Sequence, residues 1–194
     1  MPTKLITAPT VEPVTLDQVK ASCRIDSAAE DALLAGLAGA ARQTAEQITG
    51  RSLAPQTWER VLDAFPSGAR SPYGGEIELL YPPAATVASV KYLDLDGAEQ
   101  TLDSGLYLLA NDFEPALLLP AQGSAWPQTL PAMPTAVRVR YTAGYADGAC
   151  PEAIQQWILA HVGHYYRNRE ATTDKPMQPL PFLDGLLDRY RVWN

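Results

Sequence analysis

A chain of 194 residues with 46% hydrophobic and 19% charged residues is long enough for one real core or two small ones, and too apolar to stay disordered. A net charge of −7 argues against a protein that grips DNA by its phosphates, because that work needs a basic face. Cys23 and Cys150 lie far apart without metal-type spacing and read as reduced thiols; there is no basic, apolar leader after Met1 and no apolar run of membrane-spanning length.

Residues 1–14 carry Pro2, Pro9 and Pro13 with little periodicity and read as an extended arm. Thr15 with Gln18 three residues on is a capping-box pair, which predicts a short helix from Leu16 to Cys23. Ser27 with Glu30 repeats the signal, so a second helix is expected from about Ala28 to Thr49, with Gly50 in the left-handed position past its end. Its apolar stripe is Leu33, Leu34, Leu37, Ala41, Ala45 and Ile48, and Gly36 and Gly39 predict close approach by a neighbouring helix.

From Leu53 the period changes to alternation. Strands are expected at 57–63, 76–79, 87–93, 99–102, 107–109, 116–119 and 137–141, with Asp96-Gly97 marking a hairpin turn. The last of them alternates Val137, Val139 and Tyr141 with Arg138 and Arg140, giving one apolar and one basic face. Proline-bearing loops are expected at 66–75 and 120–136. After a glycine turn, Pro151 and Glu152 open a long helix whose face is Ile154, Trp157, Ile158, His161, Val162 and Tyr165. Residues 171–181 read as a linker, and Phe182 to Tyr190 as a short last helix before Trp193.

The fold class read from this order is α+β: a small bundle of three to four helices, an antiparallel β-rich subdomain inserted between the second and third, and extended arms at both ends. The expected boundaries are 1–14 for the N-terminal arm, 15–52 for the first helical part, 53–142 for the β insertion, 143–170 for the long helix, and 171–194 for linker and C-terminal docking arm.

Chemistry-bearing patterns are absent. The chain has no Gly-x-Ser-x-Gly, no phosphate-binding glycine loop, no dinucleotide fingerprint and no His-Glu-x-x-His, so no catalytic, cofactor-binding or metal residue is assigned and no enzyme is expected. His161 and His164 have no third ligand nearby in sequence and read as packing. Residues 15–37 could pass for a helix-turn-helix, but the second helix opens on Glu30 and Asp31, where base contacts need Arg, Lys, Asn or Gln. A helix-turn-helix regulator, and a module holding a small ligand or sugar in its β insertion, remain as alternatives.

Glu12 to Lys20, Arg24 to Asp26, Glu30 to Leu34 and Thr49 to Arg51 resemble the N-terminal half of the head–tail connector (adaptor) proteins of tailed bacteriophages, prophages and phage-like particles such as gene transfer agents. Gln56 to Trp58, Asp94 to Gly97, Trp126-Pro127, Val137 to Val139, Tyr141 to Tyr145, Pro151 to Ile154 and Tyr166 to Glu170 follow in the order such proteins show. The resemblance implies a non-enzymatic virion protein, made in the bacterial cytoplasm, without cofactor. It implies a homo-oligomeric ring, usually of twelve copies, below the portal protein, presenting a surface to a stopper or tail-terminator protein. Double-stranded DNA would pass through its channel without sequence-specific binding. For such a ring, the expected subunit-interface residues are Arg42, Arg51, Arg138, Arg140, Arg167, Arg169 and Glu170. Phe182, Leu186, Tyr190, Arg191 and Trp193 are the expected portal-docking residues.

Overall fold

The computed structural model describes residues 2–67, 73, 75–168 and 181–192, with 181–184 placed as backbone. In chain order the elements are β1 (Thr3–Thr7), α1 (Leu16–Cys23), α2 (Asp31–Thr49), β2 (Gln56–Leu62), β3 (Ile77–Leu79), β4 (Ala84–Leu93), β5 (Glu99–Thr101), β6 (Tyr107–Ala110), β7 (Ala116–Pro120), β8 (Val137–Ala143), α3 (Glu152–Arg167) and α4 (Pro181–Asp188). The fold is mixed α and β, with four helices and antiparallel sheets. Contacts divide it into a helical unit, Val11–Ala54 with Tyr145–Asn194, and a β unit, Met1–Thr10 with Pro55–Gly144. Each unit has its own apolar core.

In the helical unit the capping box forms as its spacing predicts. Thr15 Oγ1 accepts from the Gln18 N–H at 3.2 Å, and Gln18 Oε1 accepts from the Thr15 N–H at 2.7 Å. The second start signal misleads. Ser27 Oγ accepts instead from the Ala29 N–H two residues on, a local turn that competes with helix, so α2 begins at Asp31. Gly50 closes it at φ 69°, donating its N–H to the Glu46 carbonyl. The buried seam of α2 is Leu34 with Ala38, Ala41 and Ala45, and the three alanines leave room for the large side chains of α3. Gly36 is not part of that seam: a Cβ there would meet nothing within 4 Å. Across the seam lie Ile154, Trp157, Ile158 and Val162, all at 0% exposure, worth together about 8 kcal/mol as an upper estimate. Leu187 of α4 completes this core, also at 0%.

The β unit holds a five-stranded sheet ordered β1-β2-β8-β4-β5 and a three-stranded sheet ordered β3-β7-β6. β8 runs through the middle of the larger sheet, with Val137, Val139, Tyr141 and Ala143 inward and Arg138 and Arg140 outward. The buried Tyr141 hydroxyl donates to the Leu80 carbonyl at 2.7 Å, and burial pushes its phenol far above the ordinary value. Residues 120–136, despite their prolines, are pinned. Trp126 stacks on Phe65 at 4.8 Å and donates its indole N–H to the Gly75 carbonyl at 2.6 Å. Gly75 must be glycine, since its φ is 105° and a Cβ would sit 2.7 Å from the Pro66 carbonyl oxygen.

The expected N-terminal arm is corrected in part: Thr3–Thr7 is a strand paired antiparallel with β2. No local periodicity announces it, because β1 is an edge strand whose partner lies some fifty residues on in sequence, at Thr57 to Arg60.

Candidate assembly surfaces

Arg42 and Arg51 are expected at a subunit interface, yet they lie inside the helical unit, 6% and 7% exposed. Arg42 Nε donates to Glu12 at 2.8 Å and Nη1 donates to Glu46 at 2.6 Å. The other Glu46 oxygen accepts from the Leu53 N–H at 2.9 Å, so one carboxylate holds both the arginine and the chain leaving α2. Arg51 Nε donates to the Tyr190 carbonyl at 2.5 Å. Both guanidiniums are taken up within the chain, because a buried cation is tolerable only when paired.

Part of the C-terminal segment is also held within the chain. Leu186 and Tyr190 pack half-buried against the helical core beside Leu187. The Val192 N–H donates to the Thr49 carbonyl at 2.8 Å, so the segment that was expected to reach for a portal is seated on its own unit. Arg191 pairs with Asp188 at 3.2 Å on the rim. The Phe182 side chain, Arg169, Glu170 and Trp193 lie outside the described residues. Arg167, at the end of α3, is exposed and donates its Nε to the Gly163 carbonyl at 3.0 Å.

Arg138 and Arg140 do stand outward, on the exposed face of the larger sheet. Arg140 donates to Glu59 across β2 at 2.8 Å, and Lys91 of β4 donates to Glu99 of β5 at the same distance. Arg138 faces Lys91 in register. The Lys91 hydrogen bond, ahead of its charge, holds the Glu99 carboxyl below its usual range. At the β4–β5 hairpin, the Asp94 carboxylate accepts from the Asp96 and Ala98 N–H groups and from Gln100 Nε2. Those bonds, Gln100 first, lower its pKa as well.

One surface was missed from sequence. Leu5 and Ile6 on β1, and Leu106, Leu108 and Phe113 around β6, are large apolar side chains exposed to solvent. Runs such as Tyr107-Leu108-Leu109 are apolar on both faces, so alternation cannot tell which leucine points out. The charge signal was available: residues 92–137 contain six acidic residues and neither lysine nor arginine.

Among the described residues, no group of three or more His, Cys, Asp or Glu could hold a metal ion, and no helix is long and apolar enough to cross a membrane. His161 stacks on Trp157 with ring centroids 3.5 Å apart, its Nδ1 3.1 Å from the Trp157 carbonyl. Open hollows of about 300 Å³ beside Val14 and Val19, and of about 270 Å³ beside Arg60 and Ile77, belong to the helical and β units respectively.

Residues 13–72 match the family of phage gp6-like head-tail connector proteins. Over those residues the connector resemblance holds. Over its whole length the chain is similar in fold to proteins of solved gene transfer agent particles. One, from the virion of a native particle, is 23% identical, with all of this chain and 97% of that one covered at a TM-score of 0.77. Another, from the neck of an empty particle computed with C6 symmetry, is 24% identical with the same coverages and a TM-score of 0.75. A third, from the neck of a native particle computed with C12 symmetry, is also 24% identical with those coverages, at a TM-score of 0.68. No curated protein matches the sequence.

Proposed function

We propose that this chain is a head–tail connector: a structural, non-enzymatic subunit that forms a ring in the neck of a phage-like particle and joins the head to what lies below. What supports the reading is that one chain combines a segment matching the connector family, residues 13–72, with a fold similar from end to end to that of a gene transfer agent particle protein. In the finer form of the proposal the ring has twelve copies. It contacts the portal protein on one side and a stopper or tail-terminator on the other, and DNA passes through it without specific binding. The larger part of the β unit, Pro55–Gly144, is then an insertion between α2 and α3. An acidic subunit of net charge −7 suits a conduit, because a lumen studded with cations would hold the phosphates it must release.

Arg138, Arg140, Arg167, Arg169 and Glu170 remain proposed interface residues. Phe182, Arg191 and Trp193 remain proposed for docking. With Leu186 and Tyr190 anchoring the segment to the helical core, docking would use its outer side and its tip.

The deciding experiment is native mass spectrometry and negative-stain microscopy of the full chain, alone and mixed with the portal ring of its own particle. A ring seated on the portal is the expected result. A monomer at about 100 μM, with and without portal, would sink the proposal, since contacts that weak are worth less than about 5.5 kcal/mol. Trp193→Ala should weaken portal binding while leaving the ring intact.

A further inference from the structure

Of the four edge strands of the β unit, β1 and β5 in the larger sheet and β3 and β6 in the smaller, β1 and β6 carry large exposed apolar side chains, and they differ in character. The ladder fixes which backbone groups each presents. The Val61 N–H donates to the Pro2 carbonyl, and Thr3 pairs with Arg60 and Lys4 with Glu59. In an antiparallel ladder these alternate, so Pro2 and Lys4 face β2 while the N–H and C=O groups of Thr3 and Leu5 point off the sheet. On β6, the Ala121 N–H donates to the Leu106 carbonyl and Leu108 stands opposite Leu119. By the same alternation Tyr107 and Leu109 direct their backbone groups outward.

Proteins normally blunt such edges with proline or charge inside the strand. Neither strand has an internal proline, Lys4 is the single charge inside either of them, and the large exposed side chains are apolar: Leu5 46% and Ile6 42% on one edge, Leu106 43%, Leu108 59% and Phe113 45% at the other. Their charges are opposite. Lys4 is the one charged side chain among residues 2–11, whereas Asp103, Asp112 and Glu114 flank β6, with no Lys or Arg from 92 to 137.

We infer that β1 of one copy pairs along β6 of the next, burying Leu5 and Ile6 against Leu106, Leu108 and Phe113 and setting Lys4 among the acidic residues. A second copy is the occupant because this chain itself carries both the basic apolar edge and its acidic apolar complement. Like edges do not pair: β1 against β1 would oppose two lysines, and β6 against β6 would oppose two acidic rims. β5 is the poorer acceptor, with three exposed polar residues and no apolar counterpart for Leu5. Each copy then offers one donor edge and one acceptor edge, a heterologous contact that repeats head to tail. The inference rests on the ring reading and names the surface that closes the ring.

The test uses the full chain. Leu5→Pro deletes an N–H that points away from β2, so it costs no bond of the β1–β2 ladder while blocking an added strand. Leu108→Asp places a carboxylate at an already exposed position. Each should keep the circular dichroism and melting of the parent while raising the concentration needed for self-association by at least about tenfold in sedimentation velocity. As a check independent of folding effects, a chain carrying Leu5→Cys and Leu108→Cys should on oxidation give a ladder of covalent oligomers. An equimolar mixture of the two single variants should stop at dimers. Rings that persist in both Leu5→Pro and Leu108→Asp, with no ladder from the double variant, would overturn the edge pairing and leave the ring standing. No self-association of the parent chain, alone or with portal, would overturn both.

Discussion

Arg42 gives the sharpest stability test, because an interface role and an interior role predict opposite results. Arg42→Met keeps most of the apolar stem and removes the guanidinium. It takes the guanidinium away from Glu46, whose side chain is 14% exposed, and from Glu12, which at 30% is wet enough to matter little. Removing one partner of a fully buried pair costs about 3–5 kcal/mol, and partial exposure of both acids brings the expectation to about 3 kcal/mol. For a unit of this size that is a loss of roughly 15 °C in melting temperature. The assay is thermal and urea unfolding followed at 222 nm, where the helical unit dominates the signal. Adding Glu46→Gln should recover more than half of the loss, since the amide oxygen still accepts from Leu53 while the carboxylate charge is gone. A single-variant loss below about 0.5 kcal/mol, in the range of a solvated surface pair, would refute the interior role.

Leu187→Ala should cost about 2–4 kcal/mol and speed amide exchange at Val192 and along α4, because Leu187 is fully buried and the Val192 N–H bond depends on α4 staying seated. Gly75→Ala should destabilise the β unit by roughly 2 kcal/mol or more and release Trp126, read as a red shift in tryptophan emission, since positive φ and the Pro66 carbonyl both exclude a Cβ. Asp94 carries a lowered pKa, so its stabilisation of the hairpin is present above the usual carboxylate range and is lost as pH falls through the lower folded-state value. Amide exchange at Asp96 and Ala98, corrected for its intrinsic pH dependence, should speed up only below about pH 4 and should be fast at neutral pH in Asp94→Asn.

What sequence could reveal divides along local and non-local lines. α1 was legible to the residue because its capping box is satisfied within four positions, and β8 because one strict alternation spans it. α2 was placed three residues early because Ser27 offers the same spacing but makes a local turn instead. β1 was missed because what makes it a strand is β2. The burial of the two arginines and the seating of the C-terminal helix were hidden for one shared reason. Arg51 and Tyr190 meet across 139 positions of sequence, and Arg42 meets Glu12 across 30. A lone cation looks like surface until its distant partner is known. The exposed apolar edges were hidden for the converse reason, since burial of a leucine depends on which sheet covers it.

The distribution of charge connects the two units to the proposed ring. In the helical unit Lys20 pairs with Asp31, Arg42 with Glu12 and Glu46, and Arg191 with Asp188, while Arg51 and Arg167 donate to carbonyls of their own unit. Five cations there serve the unit's own structure. The β unit has six basic residues against ten acidic ones, a net −4, and six of the ten fall between 92 and 137, where no base offsets them. Such a surface attracts a basic edge and repels phosphate at once, and both effects come from the same side chains. The proposed ring, in which each subunit would bind its neighbour while DNA slides past, needs those two properties together. That is why the acidic stretch beside β6, rather than the basic row on β8, is the better place to look for the ring contact.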